Sequence, residues 1–347
     1  MRAYRRNGSG PRGIAAAFRA HHLDHGPRQV AVFFAVGATL AFAASDGVAW
    51  SAGFRAVGSA LHHLDVFWLL LALAGAAATL IGYTLAYREV AHVDEGLRIG
   101  LPRTGALVAT GFGVFVPRGG FALDLEALRD LGVPPREARV RVLGLGSLEY
   151  VVLAGAALAC SVVLLARGSD AQHAVMLSWV VGVPVGTALA LVAVRYRDVI
   201  CRGRLGELIR PALEGILVVA KIVRHPRRHG AAAVAGMSLY FAAEVFVLWA
   251  CVAAFAHGRP SVPALVVGYA TGYALTRRTL PFAGAGAVEA LLPFALVWMG
   301  FALAPAVLAV VAYRVINVWL PVGPALAGLI ALRLRPAALS GARRSRP

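Results

Sequence analysis

The sequence from Arg277 to Pro321 is apolar enough to lie in a membrane, yet it is repeatedly interrupted. A helix broken inside a bilayer exposes backbone N–H and C=O groups that lipid cannot satisfy, so the break must be buried in protein or line a wet cavity. Ionisable side chains at the same depth are costly and mark functional sites. We therefore predict that this stretch forms a site and that the other apolar segments enclose it. The interrupting residues are Arg277, Arg278, Pro281, Gly284, Gly286, Glu289 and Arg314.

Composition and segment length define the class of protein. Hydrophobic residues make up 59% of the 347 residues and charged residues only 15%, a balance typical of an integral membrane protein. Six apolar segments have about the 20 residues that a helix needs to cross a bilayer. The sequence therefore predicts an all-α, polytopic membrane protein with six full spans. These cover 29–50, 65–87, 142–166, 174–194, 231–256 and 303–332.

The distribution of positive charge predicts the orientation of the chain. With a cytoplasmic N-terminus, 28 of the 34 Lys and Arg residues fall in cytoplasmic segments and three fall outside. This is the asymmetry of the positive-inside rule, and it accounts for the net charge of +17 without nucleic acid as a partner. We predict a protein of the cytoplasmic membrane with both termini in the cytoplasm. Residues 1–28 and 336–347 would be basic cytoplasmic tails of a membrane domain over 29–335.

Two apolar segments are too short to cross a bilayer and are broken by Pro and Gly. The segment 104–116 runs into Pro117, Gly119 and Gly120 and then into charged residues, which predicts a re-entrant element over 104–131. The alternative is a short interfacial helix followed by a loop. The segments 262–276 and 281–301 form either a second re-entrant pair or two crossings. Either arrangement returns the chain to the same side of the membrane.

The two broken regions resemble each other and predict an internal repeat. Pro117 matches Pro281, and Gly132 matches Gly300, which places Glu149 opposite Asn317 and, with gaps, Glu126 opposite Glu289. Three spans separate the broken elements, an odd number, so the halves (about 29–170 and 171–335) would have inverted orientation. Paired, interrupted short segments in inverted halves indicate a transport site at the midplane. The alternative is chance similarity between two Gly-rich apolar stretches.

The basic loop between the fourth and fifth spans contains helical periodicity. Apolar residues between 202 and 224 recur on one face and charged residues cover much of the remainder, a pattern typical of an amphipathic helix lying in the membrane interface. We predict such a helix on the cytoplasmic side. The alternative is a solvated connector.

The motif in the last third resembles a known family. Leu280-Pro281, Gly284-Ala285-Gly286, Glu289, Gly300, Tyr313-Arg314 and Trp319-Leu320-Pro321 resemble the transmembrane domain of lysylphosphatidylglycerol synthases. The similarity extends more weakly over about 60–335 and includes Pro117-Arg118-Gly119-Gly120. It implies a flippase-like domain that moves aminoacylated phosphatidylglycerol across the cytoplasmic membrane. Where the family often has Pro-Gly-Gly, this chain has Ala283-Gly284-Ala285-Gly286, and the soluble aminoacyl-transfer domain is not expected.

The intramembrane polar residues provide a hypothesis for lipid binding. Arg277 and Arg278 could hold a phosphate through bidentate hydrogen bonds, or they could anchor the loop at the interface. Glu289, Glu149 or Glu244 could face an amine or pair with Arg314, which would lower the cost of both charges; a purely structural role is the alternative. The candidate substrate-binding residues are Arg277, Arg278, Glu289, Arg314, Glu149, Glu244 and Asn317.

The sequence thus predicts a phospholipid translocase without catalytic residues, metal or cofactor, and its partners would be anionic or aminoacylated membrane phospholipids. The oligomeric state stays open. One alternative is a membrane-embedded enzyme, or enzyme subunit, acting on lipid-linked sugars, for which only the cytoplasmic Asp124, Glu126 and Asp130 are candidates, at a spacing that fits an amphipathic helix better than a metal site. The other alternative is a membrane scaffold that transports nothing.

Overall fold

A computed structural model describes residues 27–93, 99–111, 120–202, 204–224, 230–256, 259–273 and 281–324. All regular structure in these ranges is helical. In chain order the α-helices are α1 (Pro27–Ala52), α2 (Phe54–Leu61), α3 (Val66–His92), α4 (Leu101–Gly111), α5 (Gly120–Asp130), α6 (Pro135–Ala166), α7 (His173–Arg195), α8 (Arg197–Ile200), α9 (Arg204–Arg224), α10 (Ala231–Phe255), α11 (Val262–Tyr273), α12 (Ala287–Trp298) and α13 (Leu303–Arg314). A 3₁₀ turn covers Pro281–Gly284, and a π-helical turn covers Val315–Trp319.

Six helices in the described part of the chain are long and apolar enough to cross a membrane. They are α1, α3, α6, α7, α10 and α13, the last continuing through the π-helical turn to Pro324. The prediction of an all-α, polytopic membrane protein is confirmed. The third span begins at Pro135 rather than at 142, because prolines at 134 and 135 suit a helix start and the charged first two turns project beyond the apolar segment.

Helices α3 and α10 pack antiparallel along their whole length and form the centre of the bundle. Glycines allow this close approach. A Cβ atom at Gly82 would lie 2.5 Å from the backbone nitrogen of Tyr240, and one at Gly236 would lie 2.7 Å from that of Ala86. Small residues at a crossing are how helices approach closely in membranes, where dispersion contacts replace the hydrophobic effect.

The bundle has two ends, which we name by the short helices found there. At the α2 end, the Asp65 N–H donates to the Ala254 carbonyl at 3.0 Å, and the Gln172 N–H donates to the Trp298 carbonyl at 2.8 Å. At the α9 end, the Arg141 guanidinium donates to the Ala91 carbonyl, which joins the start of α6 to the end of α3. Helix α9 also lies at this end, because it packs along the first half of α6.

Helices α5 and α12 end in the same backbone motif at opposite ends of the bundle. Gly132 (φ 86°) ends α5 at the α9 end, and Gly300 (φ 93°) ends α12 at the α2 end. In each case the glycine N–H bonds the carbonyl three residues back at 2.9 Å, and the next N–H bonds the carbonyl five residues back at 3.1 Å. This is a Schellman motif, whose left-handed position favours glycine. The following helices, α6 and α13, each start three residues after the glycine.

The two caps define the register between the repeated segments. With Gly132 opposite Gly300, Glu149 falls opposite Asn317, as the sequence comparison placed it. Phe121, rather than Glu126, falls opposite Glu289, because the helices leading to the caps align without the gaps that the sequence comparison required. Recurrence of one cap at opposite ends supports inverted halves, while their boundaries and the re-entrant course of the short helices stay predictions.

The predicted helix over 202–224 is present as α9 from Arg204 to Arg224. Its buried apolar side chains include Leu213, Val218, Val219 and Ile222. A Cβ atom at Gly215 would lie 3.0 Å from the backbone nitrogen of Gly144, so α9 packs closely against α6. Arg210, Lys221 and Arg224 remain exposed, which gives α9 the basic outer face that an interfacial helix requires.

Candidate functional site

The chain breaks between the 3₁₀ turn and α12, as the Pro and Gly spacing predicts. Three residues here occupy the left-handed region: Phe282 (φ 55°), Gly284 (φ 69°) and Gly286 (φ 86°). Among the described residues, Phe282 is the only non-glycine with a positive φ. Such a conformation costs roughly 1–2 kcal/mol in an aromatic residue and persists only where the surrounding structure enforces it. The break is therefore a built feature of the fold.

Glu289 ties the break to the last spanning helix. One carboxylate oxygen accepts the Gly286 N–H at 2.8 Å and so caps the first turn of α12. The other accepts the Arg314 Nε–H at 2.7 Å. Both side chains are almost completely buried, at 2% exposure each. The predicted pairing of Arg314 with an intramembrane glutamate is thus present, and among the three glutamates considered the partner is Glu289.

A second polar group lies beside this ion pair. The Tyr313 hydroxyl and the Asn317 amide both donate to the same carboxylate oxygen of Glu244, the amide at 3.1 Å. Glu244 lies on α10 and is fully buried. The π-helical turn begins directly after Arg314, and Tyr313 and Asn317 lie about one turn apart, on one face. Helix α13 therefore directs Arg314 to α12 and its two neighbouring polar side chains to α10.

Helix α1 covers the break. A Cβ atom at Gly286 would lie 3.3 Å from the Leu40 carbonyl oxygen, near the middle of α1. The Phe33 ring lies 6.0 Å from Phe282, and the Phe34 ring lies 5.1 Å from Trp319 in an edge-to-face arrangement. The loosened backbone is thereby enclosed by protein, which satisfies the condition for a break within a membrane.

A cavity of about 630 Å³ opens at the α2 end of the bundle. It is lined by α2, by the α10–α11 connection and by the turn between α12 and α13. Neither Glu289 nor Arg314 lines it. Ala306, on the cavity wall, lies about 12 Å along α13 from Arg314. The ion pair therefore lies beneath this cavity and does not line it. The expectation that the charges border an aqueous pocket stays a prediction.

The other predicted site residues are placed differently. Arg277, Arg278, Pro117 and Gly119 lie outside the described residues, and Gly120 is the first residue of α5. Glu149 does not join the group around Arg314. It is half-buried on α6, and its charge acts on Asp124 of α5. The structure therefore brings together Glu289, Arg314, Glu244 and Asn317 and leaves Glu149 in the other half.

Sequence reasoning missed several polar residues that the structure shows to be engaged. Tyr313 is a part of the family resemblance but not of the predicted site, although its spacing from Asn317 places both on one helical face. Arg141, which is only 7% exposed, lies just outside the predicted third span. Arg259, on the cavity wall, counts in the sequence only as one of the few positive charges at its end of the bundle. The scarcity of positive charge at this end of the bundle was the sequence feature that could have singled out Arg259.

Comparison with known proteins adds no relative to this picture. The sequence matches no protein-family model and no curated protein.

Proposed function

We propose that this protein is a phospholipid translocase whose buried ion pair, Arg314–Glu289, acts as the gate of the translocation route. The observation that carries the proposal is the location of this pair. It joins a broken helix to a spanning helix and lies in the interior of a bundle with six apolar spans. Ionisable groups in such positions usually mark a pathway for polar or charged cargo.

The surroundings of the pair fit a gate better than a structural staple alone. Three left-handed residues precede Glu289, so one side of the contact is carried by an irregular backbone segment, a feature that is common at switch regions. Glu244 on α10 provides a second buried carboxylate, which accepts hydrogen bonds from Tyr313 and Asn317, the neighbours of Arg314. Separation of the pair would present a guanidinium and a carboxylate, which match the phosphate and amine of a zwitterionic or aminoacylated headgroup.

Orientation follows from the charge distribution. The α9 end carries the basic residues of α9 and of the start of α6, so we assign it to the cytoplasm. The α2 end then faces the opposite side, with the cavity above the ion pair. The route that we propose runs from this cavity along α13 past Arg314. The resemblance of the motif around Glu289 and Arg314 to flippase-like domains supports the same function.

The decisive experiment is lipid translocation in proteoliposomes. A fluorescent phosphatidylglycerol is placed in both leaflets, and a membrane-impermeant reductant reports how much of it becomes accessible. The test variant carries Glu289→Gln together with Arg314→Gln, which removes both charges of the pair and leaves neither of them without its partner. The matched control carries Arg136→Gln together with Glu214→Gln, which removes an exposed ion pair at the α9 end.

We expect the wild type and the control to make the whole label accessible and the test variant to leave the inner leaflet protected. All variants must elute as monodisperse protein with unchanged helical content. Equal translocation by the test variant and the control would refute the gate. Absence of translocation by the wild type, across anionic and aminoacylated lipids, would refute the translocase itself.

A further inference from the structure

The cavity at the α2 end has the composition of a binding site for an amphipathic anion. Its polar lining consists of Ser59, His63, Arg259 and Ser261. The remaining wall is apolar and includes Val252, Phe255, Met299 and Phe301. A pocket with a mainly apolar wall and a few convergent polar groups is the usual form of a small-molecule site.

The positive charge in this cavity is unusual for its end of the bundle. Only three Lys or Arg residues occur in the connections that we assign to this side: Arg55, Arg167 and Arg259. Of these, Arg259 is the one that lines the cavity. The positive-inside rule disfavours arginine on this side, so a guanidinium beside a cavity is better explained by a ligand than by topology.

Two helix N-termini meet the same cavity. Helix α11 begins directly after Ser261, whose carbonyl accepts the Leu265 N–H at 3.0 Å. Helix α13 begins after Ala302, which makes no side-chain cap hydrogen bond, and Ala304 in its first turn lines the cavity. The first turn of a helix leaves N–H groups without intrahelical partners and carries the positive end of the helix dipole. Both features favour an anion where Arg259 already contributes charge.

The rim of the cavity indicates that the ligand also has an apolar part. On α2, Ala56, Ser59 and Ala60 face the cavity, while Phe54 and Leu61 are 59% and 51% exposed. An exposed aromatic and an exposed leucine on a short helix at the membrane boundary are suited to contact acyl chains. A headgroup in the cavity could therefore keep its chains beside α2.

We infer that this cavity binds the phosphate of a phospholipid headgroup, with Arg259 and the N-terminus of α13 as the anion-binding groups. The inference rests on the proposed function, for which the cavity would be the entry or exit point of the translocation route. Inorganic phosphate presents the same chemistry, so the experiment compares the two. Binding is measured without transport, which separates this inference from the translocase proposal.

The experiment measures binding of dihexanoyl phosphatidylglycerol to the purified full chain in uncharged detergent by calorimetry at low salt. Dihexanoylglycerol tests the contribution of the phosphate, and inorganic phosphate tests that of the chains. Two variants make the charge of the site less favourable for an anion in different ways. Ala304→Asp puts a negative charge in the first turn of α13, where it stabilises the helix but repels an anion. Arg259→Gln removes the guanidinium.

Each variant has a matched control. Ala304→Asn has the same size as the aspartate without its charge, and Arg167→Gln removes an exposed arginine from another connection at the same end. We expect Ala304→Asp and Arg259→Gln each to weaken binding about tenfold or more, because the first adds a charge that repels the anion and the second removes a charge that attracts it. We expect Arg167→Gln to stay within about twofold of the wild type, in the range of a remote surface change. Ala304→Asn should bind clearly more tightly than Ala304→Asp, because it has the same size without the repelling charge.

Three results would overturn the inference. Equal binding by all variants would exclude this cavity as the site. Equal binding of dihexanoylglycerol would exclude phosphate recognition, and equally tight binding of inorganic phosphate would exclude a lipid as the ligand. If cavity variants lose binding while the Glu289→Gln, Arg314→Gln double variant still translocates lipid, the gate fails and this site stands. If translocation behaves as proposed but binding ignores Arg259 and Ala304, this site fails alone.

Discussion

The contribution of the Arg314–Glu289 pair to stability can be measured by a double-mutant cycle. Glu289→Gln keeps an oxygen that accepts the Gly286 N–H, so the cap of α12 survives and the change isolates the charge. It leaves Arg314, whose side chain is 2% exposed, without the carboxylate at 2.7 Å. Breaking a buried pair by removal of one partner costs about 3–5 kcal/mol, because the remaining charge is left buried without its partner.

The double substitution should cost far less than the sum of the single ones. Gln at both positions removes both charges, and neutral replacements of buried pairs are often tolerated. We therefore expect a coupling free energy of about 3 kcal/mol, measured by equilibrium unfolding in detergent micelles with tryptophan fluorescence. The same cycle on Arg136 and Glu214, whose side chains are 65% and 28% exposed, should give less than about 1 kcal/mol. Single variants at the buried pair that cost under about 1 kcal/mol and add without coupling would refute a buried, mutually dependent pair.

Three further predictions concern the framework. Gly82→Ala places a methyl group 2.5 Å from a backbone nitrogen of α10, so it should lower the unfolding free energy by about 3 kcal/mol. The control Gly155→Ala, whose methyl group would meet nothing within 4 Å, should raise the unfolding free energy by up to about 1 kcal/mol. Gly300→Ala should cost about 1 kcal/mol through its φ of 93° alone, since its Cβ would meet open space. Burial, reinforced by the charge of Glu149, raises the pKa of Asp124 well above its usual 3.8. The folded state therefore binds the Asp124 proton more tightly than the unfolded state does, and the unfolding free energy falls as pH rises from about 4 toward the raised pKa. Asp124→Asn should make the unfolding free energy depend less on pH over this range, as measured by unfolding at a series of pH values. An unchanged unfolding free energy for Gly82→Ala would contradict the close packing of α3 on α10, and one for Gly300→Ala would contradict the left-handed cap. An unaltered pH dependence in Asp124→Asn would contradict the raised pKa.

The spans and the break could be predicted because each depends on local chemistry. An apolar run of sufficient length has few alternatives to a spanning helix, and the glycines at 284 and 286 adopt left-handed conformations that their sequence neighbours already suggest. The match between Gly132 and Gly300 could likewise be found in the sequence, because a Schellman cap depends on a few consecutive residues.

The partners of the polar residues could not be predicted in the same way. Which glutamate pairs with Arg314 depends on how α12 and α10 pack against α13, and helix packing is decided by side chains distant in sequence. Glu149, Glu244 and Glu289 are equally plausible partners when only depth in the membrane is known. The cavity was missed for a related reason: its lining comes from three separate connections, and only the isolated Arg259 marked it in the sequence.

The register between the two caps has a consequence for energetics. Opposite the pair Glu289 and Arg314 lie Phe121 and Gly146, and there the phenylalanine ring rests on the glycine, 2.9 Å from where a Cβ would be. At matching positions in this register, one helix contact is therefore an ion pair and the other is a packing contact between an aromatic ring and a glycine. Any movement that opens the ion pair displaces opposite charges against each other, so a transmembrane voltage does work on it, at most about 2.3 kcal/mol per charge for 100 mV. The packing contact between Phe121 and Gly146 carries no charge pair, so the voltage would act on one of the two contacts and not on the other.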